Sequence, residues 1–170
     1  MSLIQHNIQK LAELKALLEK LPDELYIRKK EVLSGSTIGQ HFRHILEFYV
    51  CLKKGADTGI ICYDARERNT LIETDRQYAS GIVSDIKHFL YTIGPNSNVM
   101  LMGNYSVTDD EQTEISSSLY RELAYALDHA VHHLAIVKIA LSEEKESAIM
   151  DENLGVAPST IRFREQQCAQ

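Results

Sequence analysis

The sequence predicts an all-α protein, a four-helix bundle with long connections between helices two and three and between helices three and four. Three observations predict it. Four segments repeat apolar residues at helical spacing, no internal repeat interrupts them, and 170 residues suit one compact domain with one sizeable core. That single domain covers 1–170, with a short β-hairpin between the last two helices as the only departure from helix. Composition agrees: 44% of residues are apolar and 25% charged, with 8 Gly, 3 Pro and no low-complexity stretch.

The first helix, 3–20, carries Leu3, Ile4, Ile8, Leu11, Leu14, Leu17 and Leu18 on one stripe with Lys and Glu opposite, and Pro22 ends it. The second, 37–54, opens with Thr37 and Gln40 at capping-box spacing and stops at Gly55. The polar run GADTGIICYDARERN at 55–69 reads as a connection. Thr70 and Glu73 repeat the capping-box spacing, and the stripe from Leu71 to Ile93 gives a third helix at 70–93, closed by Gly94-Pro95. Asn98–Met102 and Thr113–Ile115 are extended pieces around a turn at Gly103-Asn104, which makes the hairpin. Ser116-Ser117-Ser118 supplies an N-cap for a fourth helix at 119–141, and 151–170 is a polar tail.

Charge and cysteine usage narrow the partners. A net charge of −6 argues against nucleic acid as the main partner. No apolar run approaches the ~20 residues that span a bilayer, and the amphipathic N-terminus is no signal peptide. Three cysteines, an odd number without CxxC, fit a reducing cytoplasm.

Five of the seven histidines fall in two clusters. His129 and His133 are one turn apart, about 6 Å between side chains, on a row shared with Leu119, Ala126 and Ala140. Two imidazoles facing a core cannot both be protonated without burying charge, and a shared divalent metal resolves this through neutral ring nitrogens. The competing reading is chance spacing of surface histidines. His132, rotated about 100° from His133, is a flanking residue. In helix two, His41, His44 and Phe48 share one side, and either histidine completes a three-histidine site, with His44 favoured and His41 then supporting a ligand or touching substrate. Three protein ligands leave a position open, the mark of a catalytic metal. The Glu-x-x-His order of di-iron bundles is reversed at His44 and Glu47, which disfavours a dinuclear site but leaves Glu47 open as a single ligand.

The connection carries Tyr63, Arg66 and Arg68 as candidate substrate contacts, the arginines suiting a substrate carboxylate. The alternative for them is a surface ion-pair cluster with Asp64, Glu67 and Asp75. Arg121 and Arg162 carry the same two readings. Neither GxxxxGK[ST] nor GxGxxG occurs, so a nucleotide cofactor has no support.

GQHFRHILEFY, YDARERN, RELAYALDHAVHHLAIVKIAL and GVAPSTIR together resemble the DinB/YfiT-like superfamily of metalloenzymes, over about residues 1 to 165. The discriminating marks are a helix-two histidine before Ile or Leu, here His44-Ile45, followed much later by HxxxH, here His129 and His133. The resemblance implies a four-helix bundle holding zinc or nickel through His44, His129 and His133, with water completing the shell. It also implies a homodimer and a small-molecule substrate, because characterised relatives include low-molecular-weight-thiol transferases and isomerases, and others labelled hydrolases. His41, Glu47 and His132 are then the candidates for proton transfer. The alternative is a non-catalytic bundle that serves as a binding or stress-response interaction module, its histidines satisfied by hydrogen bonds.

Overall fold

A computed structural model of the chain describes residues 2–142 and 150–168. The elements run α1 (Leu3–Lys20), α2 (Asp23–Ile27), α3 (Ile38–Thr58), β1 (Ile60–Cys62), α4 (Thr70–Thr74), α5 (Arg76–Thr92), β2 (Asn98–Gly103), β3 (Thr113–Ser118), α6 (Leu119–Ser142) and α7 (Pro158–Cys168), with one 3-10 turn at Glu31–Leu33. Helix α3 packs on α6 and α5, and α1 packs on α5 and α6. Leu11, Leu14, Phe42, Ile45, Leu46, Val83, Ile86, Leu123, Leu134 and Val137 are fully buried between them. Each such side chain contributes roughly 1.5–3 kcal/mol. Among the described residues no helix is long and apolar enough to cross a membrane.

The expected all-α four-helix bundle is corrected. The four long helices exist, but a three-stranded mixed sheet stands beside them, ordered β1-β2-β3, with β1 parallel to β2 and β2 antiparallel to β3. The expected hairpin is present as β2 and β3, paired from Asn98 opposite Ser118 to Gly103 opposite Thr113. Strand β1 is what the pattern hid. It is three residues long, inside a segment read as a polar connection, and its partner Met100–Met102 lies far along the chain.

Gly55 explains the error at this junction. It does not stop the helix; α3 continues to Thr58 and ends at Gly59, whose φ of +76° is open to glycine. Gly55 is buried where β1 crosses, and a Cβ there would stand 2.2 Å from Ile61 Cγ1 and 2.9 Å from the Ile60 carbonyl oxygen. The residue is needed for close approach rather than for a turn.

The expected helix at 70–93 is two helices, α4 and α5, broken at Asp75, whose carboxylate accepts from the Gln77 and Tyr78 amides. Asn69, not a Thr70–Glu73 box, caps α4 by accepting from the Leu71 amide at 3.0 Å. Glu73 instead pairs with Arg43 across to α3. The serines at 116–118 belong to β3, which runs straight into α6, and Ser118 retains a capping role by accepting from the Arg121 amide. Within the expected polar tail, Pro158–Cys168 forms a helix, while residues 169–170 lie outside the described residues.

Candidate metal centre

Helices α3 and α6 place the histidines. Thr37 and Gln40 form the expected capping box at 3.0 and 3.1 Å, which fixes the start of α3. Phe42, Ile45, Leu46 and Tyr49 are buried in the core, and the neighbouring positions His41, His44 and Phe48 contact rings on α6. On α6, buried Ala126 and Ala130 flank His129, and their small side chains permit close helix packing.

His44, His129 and His133 converge, each offering one ring nitrogen within 4.8 Å of the others. Their ring centroids lie 4.5–4.8 Å apart. All three are half-buried. Burial is the first cause that pushes His44 and His129 down to about 4 and His133 down to about 3, with neighbouring histidines adding to it. The cluster is therefore neutral at physiological pH, the state in which imidazole ligates. His129 Nε2 is buried and has no hydrogen-bond partner among the described residues. An orphaned nitrogen beside two further neutral imidazoles fits a divalent ion, which imidazole binds at about 2.0–2.1 Å. The group could hold a metal ion.

His41 stands outside that group. Its Nδ1 lies 3.0 Å from His133 Nδ1, so one of the two nitrogens carries a shared proton. His132 is exposed, with its ring centroid 5.3 Å from that of His133. Glu47 is only 4% exposed and is not in the group. Its Oε1 accepts from the Asn69 amide at 2.8 Å, and Arg43 Nε stands 3.9 Å from the carboxylate, so it ties the connection to α3.

The connection does fold over this end of the helices. Tyr63 stacks on Phe48 at 4.5 Å, and Phe48 stacks on His129 at 4.0 Å, so an aromatic sandwich fixes the His129 ring. Arg66 donates to the Tyr63 carbonyl at 2.6 Å, lies 5.2 Å over the Phe48 ring, and its charge also lowers His44 and His129. Arg68 is exposed, with a φ of +52°. The alternative, an ion-pair cluster with Asp64, Glu67 and Asp75, does not form among the described residues. Asp64 accepts from the Asn104 amide, Glu67 pairs with Lys54, and Asp75 caps α5. Burial pushes the Cys51 thiol up to about 11, which makes it a poor nucleophile.

Two residues near the centre carry contacts the sequence reading missed. Glu122, fully buried, accepts from Tyr63 Oη at 2.9 Å, Ser117 Oγ at 2.5 Å and Arg121 Nη1 at 3.0 Å. Tyr125 lies 5.8 Å from the His129 ring. A carboxylate inside an apolar helical row was the available signal for Glu122. Beside these residues a groove of about 900 Å³ opens between the sheet and the start of α6, lined by Tyr63, Leu101, Ile115, Arg121, Glu122 and Tyr125 among others.

No protein-family model matches the chain, and no solved structure matches it. A protein named FK506-binding protein 5, from Rhizopus delemar, is 32% identical over 114 residues, a stretch that covers 64% of this chain and 28% of that protein. The chain is thus similar to a minor part of a longer protein, and the histidine geometry, rather than this likeness, carries the functional reading.

Proposed function

We propose that the chain is a mononuclear divalent-metal enzyme of the DinB/YfiT-like type, a thiol-dependent transferase or hydrolase, with His44, His129 and His133 holding zinc or nickel. The observation that carries this reading is the buried Nε2 of His129, without a hydrogen-bond partner among the described residues, within a trio of neutral imidazoles. Nitrogen donors without a carboxylate suit either metal. When bound, the metal supplies Lewis acidity, which lowers the pKa of a thiol or a water.

The chain's own residues divide the remaining work. Phe48 and Tyr63 hold the His129 ring in one orientation, and the contact with His41 does the same for His133. Arg66, half-buried over Phe48, adds positive charge beside the centre, which favours an anionic group there. It is a better substrate contact than exposed Arg68. Glu47 and Glu122 are committed to structural hydrogen bonds, which leaves His41, and His132 at the solvent boundary, to pass a proton outward. Thiol chemistry accords with a reducing cytoplasm, and sedimentation tests the homodimer that belongs to the same reading.

Metal content measured by plasma spectrometry, on protein purified without a nickel column, tests the proposal. The expected result is about one zinc or nickel per chain, lost in His129→Ala and in His133→Ala. Wild-type protein that stays metal-free after incubation with both ions overturns it and leaves the interaction-module reading.

A further inference from the structure

One row of α6 carries Arg121, Tyr125, His129 and His133 at successive turns. The Arg121 guanidinium carbon lies 5.4 Å from the Tyr125 ring, and the Tyr125 ring lies 5.8 Å from the His129 ring. A cation, an aromatic shelf and the histidine centre therefore follow one another along the row, with eight residues, about 12 Å of helix, between the first and the third. Arg121 and Tyr125 both line the groove beside the sheet. Cross-strand neighbours Leu101 and Ile115 give that groove an apolar lining opposite the helix.

The cation is anchored rather than loose. Glu122 beneath it accepts from Tyr63, Ser117 and one nitrogen of Arg121. The Arg121 Nε and Nη2 groups have no hydrogen-bond partner among the described residues, and the side chain is 60% exposed. A guanidinium fixed at one corner, with donors unspent, is suited to a planar carboxylate.

We propose that this groove binds an elongated, carboxylate-bearing small molecule. Its carboxylate sits on Arg121, its apolar body lies along Tyr125 and Ile115, and its far end extends past Tyr125, whose ring stands 5.8 Å from that of His129, toward the histidine centre. The groove's volume is that of a small-molecule site. What happens at the far end rests on the metal-enzyme reading, while the carboxylate subsite does not. For a thiol substrate, the sulfur and the carboxylate then stand about two helical turns apart.

Calorimetric titration of the zinc-loaded chain with mercaptopropionate, mercaptohexanoate and mercaptooctanoate tests the spacing. Affinity is expected to rise about tenfold or more along the series as the chain grows long enough to engage both ends. Arg121→Gln is expected to weaken mercaptooctanoate roughly tenfold, Arg121→Lys less, and to leave mercaptoethanol, which has no carboxylate, unchanged. In case Arg121→Gln does not fold, wild-type protein is titrated with mercaptooctanol and mercaptooctylamine, both expected to bind roughly tenfold more weakly than mercaptooctanoate. Equal binding of the three octyl thiols, or indifference of mercaptooctanoate to Arg121→Gln in a folded variant, overturns the proposal. Octanoate titrated into metal-free protein separates the two readings. Binding that depends on Arg121 there upholds the groove even where no zinc is taken up, and octanoate binding that ignores Arg121 refutes the groove while leaving the metal centre untouched.

Discussion

Replacing Glu122 by Leu is the sharpest test of how the site is held together. The carboxylate joins three elements: Tyr63 just after β1, Ser117 on β3 and Arg121 on α6. Leu keeps most of the volume but accepts no hydrogen bond. Arg121 is exposed enough to turn to water, so its loss costs little. Tyr63 is 9% exposed and Ser117 is partly buried, and each hydroxyl left without an acceptor costs about 1–3 kcal/mol. The expected destabilisation is about 3–5 kcal/mol, in line with breaking a buried charged network. For a chain of this size that lowers the melting temperature by about 10 °C. Urea unfolding followed by circular dichroism at neutral pH measures it. Tyr63→Phe in the same background recovers part of the loss, because the orphaned hydroxyl is gone, and a double-mutant cycle should give a coupling of about 1–2 kcal/mol. A cost below about 1 kcal/mol, or strict additivity with Tyr63→Phe, refutes the account of Glu122 as the clamp.

Three further outcomes follow from the same geometry. His41→Phe removes the nitrogen 3.0 Å from His133 and should weaken zinc binding about 10–100-fold in chelator competition, with His41→Gln restoring part of it. In the metal-free protein, His44, His129 and His133 titrate lower when folded (about 4, 4 and 3) than when unfolded, near 6.5. The unfolded chain then binds more protons between those values, so stability should fall as pH drops from about 6.5 to 4 and stay level above, as thermal melts across that window would reveal. Gly55→Ala drives a methyl into Ile61 at 2.2 Å and should cost about 1–3 kcal/mol or more in urea unfolding, against a small gain at an exposed helical glycine such as Gly81.

The placement of the histidines on two facing helices gives the centre a particular electrostatic character. Its three nitrogens are neutral, the nearby carboxylates of Glu47 and Glu122 are spent on other donors, and Arg66 adds a positive charge. A divalent ion held by these three residues has no anionic ligand from the protein. Such a site favours an anionic exogenous partner, a thiolate or a hydroxide, over a neutral one. That preference is consistent with the thiol chemistry proposed and with a carboxylate on the same molecule.

The sequence by itself determined the apolar stripes of the long helices and the pair His129 and His133, because both depend on local periodicity. Apolar residues three and four apart make a buried stripe, and two histidines four apart must share its direction. The capping box at Thr37 and Gln40 was legible for the same reason, as was the hairpin of Asn98–Met102 with Thr113–Ile115. Only the tertiary structure decided what depends on distant partners. Strand β1 exists because Ile60–Cys62 finds Met100–Met102, and three residues carry too little periodicity to announce a strand. Gly55 reads as a helix stop until the strand that crosses it is seen. The break at Asp75 divides a stripe that seemed continuous, and the cap there comes from a side chain that spacing alone assigned to a surface ion pair. His41 and His44 are equivalent on a helical wheel, and the second helix separates them: one ring meets His133 through a hydrogen bond, and the other joins the nitrogen trio. The row from Arg121 to His133 was present in the sequence at four-residue spacing throughout. It acquired chemical meaning only when the sheet closed a groove against its first two members.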